Sequence, residues 1–247
     1  MLKIFSKMAK LFESLKQPFT SAIILCAGAS TRFGSNKQMA TVCGKTVAER
    51  TISVFQDSYV INEIILVVPK DDLDSYKELV VLGDFKKVSA IVTGGETRQL
   101  SALRGLKHIS KKAKYVAIHD GARCLITEEI IEMVLAEAFE HKCATSATRM
   151  TDTVKRSAED DFVEATVDRE MLWTVQTPQI FETELYQVAS YNAKQKGIVA
   201  TDDCMLLEAI GYKVKLVETG KENIKITHPA DIVLAEYIIN SRNGDNQ

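Results

Sequence analysis

Three observations in this sequence predict a doubly wound α/β fold built on a mostly parallel sheet. Apolar runs near 21–27, 63–69, 87–92, 114–119 and 143–149 alternate with helical patterns, the βαβ rhythm of a parallel sheet covered on both faces. Gly28, Gly94 with Gly95, and Asp120 each fall just past the end of such a run, where open α/β sheets bind their ligands. The 247 residues are 46% apolar with a formal net charge of -2, enough for one sizeable core, and a single domain over 21–242 is expected.

Residues 1–20 stand apart. Ile4, Phe5, Met8, Leu11, Phe12 and Leu15 recur at helical spacing among four lysines and one glutamate, which predicts a short amphipathic extension stopped near Pro18. A secretory signal needs a continuous apolar centre, and these lysines interrupt it. Ala22 to Leu25 then read as a buried strand running into a loop of small residues, Ala27, Gly28 and Ala29. Backbone amides in such a loop can approach an anion closely. Arg32 and Lys37 add charge. The Walker A pattern does not fit, because it needs Gly-Lys followed by Ser/Thr, nor does the glycine fingerprint of dinucleotide sites, because Ser30 and Phe33 occupy its glycine positions.

The rhythm breaks between 150 and 180. TDTVKR, FVEATVDR and WTVQTPQ read as short strands, the first two separated by a charged turn at Glu159–Asp161. All three look too exposed and too short for the core, which predicts a β-arm at about 150–175. Helix signals return at 182–195 and 201–210, a strand follows at 213–217, and NIKIT leads into a last helix begun by Pro229.

Composition narrows the function. The 31 basic residues are spread along the chain and matched by 33 acidic ones, so no face concentrates the positive field that nucleic acid requires. The Lys107–Lys114 cluster reads as a solvated helix end. Five cysteines without a C-x-x-C argue against a disulfide framework or a zinc site and fit a reducing cytoplasm. The four histidines lack metal-ligand spacing, and no apolar run approaches the ~20 residues that cross a bilayer, so no integral membrane contact is expected.

Four further clusters carry polar chemistry. GGETRQLS at 94–101 opens a helix, with Thr93 or Glu96 near its cap, and offers Glu96, Arg98 and Ser101 where a base and ribose could be read. IHDGARC at 118–124 sets Asp120 at a strand tip, able to hold a phosphate-bridged Mg²⁺ or to pair with Arg123 three residues on. In ENIKIT, Lys225 sits between Ile224 and Ile226, and strand alternation turns it away from both. Thr153, Lys155, Arg169, Thr177, Thr201 and Asp202 supply hydroxyls and charges of the kind that line a polyol-phosphate pocket. Thr201 and the aspartates after it also make a good helix N-cap.

In this order the loop with its Arg and Lys-Gln, GG-x-x-R-x-x-S, HD-x-AR, DT-x-K, VDR, TPQ-x-F, TDD and NIK-x-T resemble the 2-C-methyl-D-erythritol 4-phosphate cytidylyltransferases of non-mevalonate isoprenoid synthesis, over residues 21 to about 240. The resemblance implies a Rossmann-like nucleotidyltransferase fold and a homodimer whose β-arms reach across to the neighbouring site. It implies CTP and a polyol phosphate as substrates, with Mg²⁺ or another divalent cation at Asp120. Ala27, Gly28, Gly95, Glu96, Ser101 and Asp120 would hold the nucleotide, and Arg32, Lys37 and Lys225 would be the catalytic cations. Arg123, Thr153, Arg169, Thr177, Thr201 and Asp202 would bind the polyol phosphate.

The chain departs from the commonest family pattern at Cys26, Ser30, Asn36 and Cys124. Ser30 restricts the loop's backbone, Asn36 in place of proline is expected to loosen the approach to Lys37, and Cys26 puts a thiol near the nucleotide, where CTP is expected to slow its alkylation. A ribitol 5-phosphate cytidylyltransferase shares the nucleotide half, and a catalytically silent nucleotide-binding module lies in a different class. Lys155, the VDR segment and the Trp173–Gln176 stretch favour the methylerythritol substrate, while intact Arg32, Lys37, Asp120 and Lys225 favour catalysis. A sugar-1-phosphate nucleotidyltransferase has a longer loop, and a dehydrogenase would need an acidic end to its second strand, which here ends in Val68-Pro69.

Overall fold

The computed structural model describes residues 17–28 and 32–244. The extension expected before Pro18 falls almost wholly outside the described residues, as does Ser30. Seven strands form the central sheet: β1 (Thr20–Leu25), β4 (Glu63–Val68), β5 (Val88–Thr93), β6 (Tyr115–Asp120), β7 (Cys143–Arg149), β10 (Trp173–Glu182) and β11 (Lys215–Glu218). Their order is β11-β7-β10-β6-β1-β4-β5. Every neighbouring pair is parallel except those made by β10, which runs antiparallel to both β6 and β7. The chain builds outward from β1 to β4 and β5, then returns to place β6 on the other side of β1. That reversal opens a crevice at the carboxyl ends of β1 and β6, the position at which such sheets receive ligands.

Alternation along β1 divides the core. Ala22, Ile24 and Cys26 face one layer, packed by Ala48, Ile52 and Phe55 of α1 (Val47–Asp57), by Tyr76 of α2 (Leu73–Leu82) and by Ile131, Val134 and Leu135 of α4 (Glu128–His141). Ile23 and Leu25 face the other, against Ala102 of α3 (Arg98–Leu106), Tyr186 and Ala189 of α5 (Thr183–Lys196) and Leu206 of α6 (Cys204–Glu208). Gly105 lets α3 settle onto the sheet, since a Cβ there would stand 2.5 Å from Ile23 Cγ2. A third cluster, Val42, Val47, Cys124, Leu125, Ile226 and Ala235, joins a small hairpin, β2 (Thr41–Val42) with β3 (Lys45–Thr46), to the last helix, α7 (Ala230–Gly244).

Two of the three segments at 150–180 form an arm. β8 (Val154–Ser157) pairs antiparallel with β9 (Val163–Val167) as a separate two-stranded sheet. The third segment is core instead: residues 176–181 of β10 are buried, and β10 lies between β6 and β7. Gln176, Thr177 and Gln179 gave this strand a surface-like composition. Their polar atoms are satisfied inside the protein, so burial of these side chains does not strand their hydrogen bonds. The NIKIT segment forms no strand, yet alternation still sorts it: Ile224 and Ile226 pack into the third cluster while Lys225 turns away.

Candidate active site

At the β1–β6 crevice lies a cleft of about 510 Å³. Ala27, Gly28, Lys37, Gly95, Glu96, Asp120 and Lys225 all line it, so segments separated by some 200 residues meet as expected. The cleft begins where β1 ends. The Cys26 and Ala27 amides both donate to Val67 O, at 2.8 and 2.9 Å, so the chain is held to β4 until it opens at Gly28. Gly94 passes directly against Ala27, and a Cβ at Gly94 would collide with the Ala27 Cβ. Only glycine allows these two loops to touch.

The second loop is held from behind. Ser101 is buried and accepts a 3.0 Å hydrogen bond from the Gly95 amide, which makes it a support for the loop and keeps it out of the cleft lining. Thr97 caps α3 by accepting from Leu100 N, a role expected of Thr93 or Glu96. Arg98 differs most from expectation. Rather than reading a base, its Nε donates to Asp120 Oδ1 at 3.0 Å and its Nη1 to Asp203 Oδ2.

Asp120 is therefore the electrostatic centre of the cleft. Lys225 Nζ donates to Asp120 Oδ2 at 2.7 Å. Burial alone would raise the Asp120 pKa, but Arg98 and then Lys225 outweigh it and hold the carboxyl well below its usual range. The alternative pairing of Asp120 with Arg123 does not form: Arg123 Nη1 donates to Asn223 O at 2.7 Å. Lys37 is half-buried beside Lys225 and Arg32, and burial first, then these like charges, lower its pKa. Arg32 itself is exposed and outside the cleft lining.

Behind Asp120, β10 contributes Thr177. Its hydroxyl accepts the Asp120 amide at 3.0 Å and lies 3.1 Å from His119 Nδ1. Asn223 Nδ2 donates to Thr177 O at 2.8 Å. Beyond it, Asp202 accepts from Gln179 Nε2 at 2.8 Å and from Met205 N at 3.1 Å, so Asp202 holds the start of α6 as well as facing this network. Thr201 is exposed one residue earlier, and Thr153 and Arg169 lie on the arm, with Arg169 donating to Thr151 O. None of these three lines the cleft of this chain.

Two departures act otherwise than expected. Asn36 does not loosen the Lys37 segment: its Oδ1 caps the turn at Lys37–Met39 and its Nδ2 donates to Asp72 Oδ2 at 2.7 Å, tying the segment to the start of α2. Cys26 is 1% exposed, and burial pushes its thiol up to about 12, so it is no reactive group beside the nucleotide.

The residues present fit a divalent cation of one kind. Asp120 is a single carboxylate at a strand tip, and the described residues hold no group of three metal-ligating side chains. One protein carboxylate suits Mg²⁺ that arrives with phosphates and keeps its waters, rather than a protein-built cage.

Comparisons with known proteins agree with this geometry. A sequence model of the 2-C-methyl-D-erythritol 4-phosphate cytidylyltransferases matches residues 20–241. The chain belongs to that family. A cytidylyltransferase of this name from Caldanaerobacter subterraneus subsp. tengcongensis is 42% identical over 222 residues, covering 89% of this chain and 98% of the relative. The crystal structure of 4-diphosphocytidyl-2C-methyl-D-erythritol synthase from Anaerococcus prevotii superposes with a TM-score of 0.81 at 32% identity, covering 91% of this chain and 99% of that one. The cytidylyltransferase crystal structure from Thermus thermophilus gives 0.73 at 32% identity, covering 88% and 98%. The mostly parallel sheet is thus the fold of these crystal structures, and the signal that sequence reading missed was the Arg98–Asp203 pair spanning 105 residues.

Proposed function

We propose that this chain transfers the cytidylyl group of CTP to 2-C-methyl-D-erythritol 4-phosphate, giving 4-diphosphocytidyl-2-C-methyl-D-erythritol and pyrophosphate. One observation carries the reading: Lys37, Lys225 and Asp120 line one cleft with the Gly94–Gly95–Glu96 loop, at the sheet's reversal point. A phosphate oxygen of the polyol attacks the α-phosphorus in line, forming a new P–O bond as the bond to the β-phosphate oxygen breaks. The attacking oxygen is already ionised near neutral pH, so no general base is required. The residues then act by positioning and by neutralising charge.

Ala27, Gly28, Gly95 and Glu96 would border cytosine and ribose, with Ser101 fixing the Gly95 loop. Lys37 and Lys225 would meet the phosphates, and Arg32 would close over them from its exposed position. Asp120 would hold Mg²⁺, which when bound draws electron density from the phosphate oxygens it touches. Arg123 and Thr177 would shape the polyol side through the Asn223 network, with Thr201 and Asp202 at its edge.

The arm supports a homodimer within which residues 21–242 act as one nucleotidyltransferase domain per chain. Phe162 and Met171 are 73% and 80% exposed there, and Thr153 and Arg169 of the same arm sit outside their own chain's cleft. A partner seated on the arm would cover these apolar side chains and bring Thr153 and Arg169 to its own cleft. Five unpaired thiols, four of them buried, suit a reducing cytoplasm.

The deciding experiment is pyrophosphate release from CTP and Mg²⁺ with either methylerythritol phosphate or ribitol 5-phosphate. Turnover with the first is expected. Preference for ribitol 5-phosphate overturns the substrate, and release with neither points to a silent nucleotide-binding module. Sedimentation of the intact protein tests the dimer.

A further inference from the structure

The two cations on Asp120 are held very differently. Arg98 spans two carboxylates, with Nε on Asp120 Oδ1 and Nη1 on Asp203 Oδ2. Asp203 is 1% exposed and is itself fixed: Tyr186 OH donates to its Oδ1 at 2.6 Å, and its amide donates to Gln179 Oε1 at 2.9 Å. Gln179 belongs to β10, Tyr186 to α5 and Asp203 to the N-cap of α6, so three elements of the core set the guanidinium's place. Lys225 has no such anchor. Its ammonium reaches Asp120 Oδ2 at the end of a flexible stem, in a segment without secondary structure, with the side chain 37% exposed. A planar fork held at both ends keeps its geometry, whereas a single ammonium can exchange partners.

We propose that Arg98 is the permanent counter-ion of Asp120, with Asp203 as the positioning residue that fixes it, and that Lys225 is the exchangeable one. Oδ1 stays committed to Arg98. Oδ2 is the oxygen given up to the divalent cation that accompanies a nucleoside triphosphate, and Lys225, released by that exchange, turns to the triphosphate. The device rests on the cytidylyl-transfer reading, because it assumes that Asp120 meets a cation. It explains why a buried carboxylate carries two cations before any ligand arrives: one sets the geometry and the other keeps Oδ2 satisfied until it is needed. The Asp202–Asp203 step also ties both halves of the site to Gln179, since Asp202 accepts from the same side chain whose Oε1 receives the Asp203 amide.

Mn²⁺ binding to the full chain, followed by the electron spin resonance of the free ion with no polyol phosphate present, tests this without turnover. Lys225→Gln removes the competitor and is expected to tighten Mn²⁺ binding about fivefold in the absence of CTP, the scale of a partly exposed ion pair. The same variant should weaken CTP binding. Asp203→Asn frees Arg98 to take both oxygens of Asp120 and is expected to weaken Mn²⁺ binding about tenfold, the scale of one hydrogen bond to a charged group. These opposite signs are not produced by loosening of the fold. If Asp203→Asn does not fold, Lys225→Gln, whose side chain is part-exposed, decides alone. Lys225→Gln binding Mn²⁺ no more tightly than the native chain, including no binding by either, overturns the exchange. Native Mn²⁺ binding that survives Asp120→Asn refutes the cation role of Asp120 itself, and the exchange with it.

Discussion

The Thr177 hydroxyl stands 3.1 Å from His119 Nδ1 while accepting the Asp120 amide, so its one proton points at the imidazole. Nδ1 must then accept, and Nε2, 3.2 Å from Arg123 O, carries the ring proton. His119 is a neutral strut behind the carboxylate rather than a catalytic base. Burial pushes its pKa down to about 3, against 6.5 for a free histidine.

The sign of the resulting pH dependence follows from proton uptake. The unfolded chain protonates His119 below pH ~6.5 and the folded chain does not, so the fold loses stability as pH falls, by up to about 1.4 kcal/mol per pH unit. The depressed Asp120 acts in the same direction but only below its ordinary value of 3.8. Between pH 4.5 and 6.5 His119 should dominate. Urea midpoints across that range should flatten in His119→Gln, and a variant slope parallel to the native one would refute the assignment.

Removing Arg32 or Lys37 should slow transfer without unfolding the chain. Arg32 is exposed and Lys37 half-buried, so Arg32→Ala and Lys37→Ala are expected to keep the native circular dichroism. Each should lower kcat at least ~10²-fold in the pyrophosphate assay. A loss below tenfold would remove that residue from the catalytic set.

Asn36 and Asp72 form a unit. Their 2.7 Å hydrogen bond and the turn cap hold the Lys37 segment against α2, so Asn36→Ala should cost about 1 kcal/mol in kcat/KM, roughly fivefold. Asp72→Ala should cost less, because the cap survives. The double variant should be no worse than Asn36→Ala alone, and full additivity would show that the two residues act separately.

Thiol chemistry should ignore the nucleotide. Cys26, Cys124, Cys143 and Cys204 are buried, and Cys43 is the part-exposed one. A disulfide reagent should label a single thiol rapidly in the native chain. Cys43→Ser should abolish that fast phase, and saturating CTP should leave it unchanged. CTP protection of a rapidly reacting Cys26 would contradict the burial seen here.

Sequence pattern located this site because its parts obey local rules. The β1 loop, the Gly94–Gly95 turn and Asp120 all follow apolar runs whose periodicity marks strand ends, and small residues mark where two loops touch. The features that escaped are non-local. Arg98 looked like a base reader because its partners, Asp120 and Asp203, lie 22 and 105 residues away. β10 looked like surface because hydrophobic pattern cannot distinguish an exposed glutamine from one satisfied inside. Asn36 looked like a loosened proline site because its partner, Asp72, lies beyond the following helix and strand.

The sheet register of β10 is irregular between Val175 and Gln179. On one side, Trp173–Val175 continues toward the arm and pairs with Arg149–Ala147, where the Arg149 guanidinium lies 4.4 Å over the Trp173 ring. On the other, Gln179–Glu182 locks onto β6, the strand that ends in Asp120. The irregularity works like an expansion joint in a rail. A tilt of the hairpin at 154–167 would be taken up at the joint before it reaches β6 and Asp120.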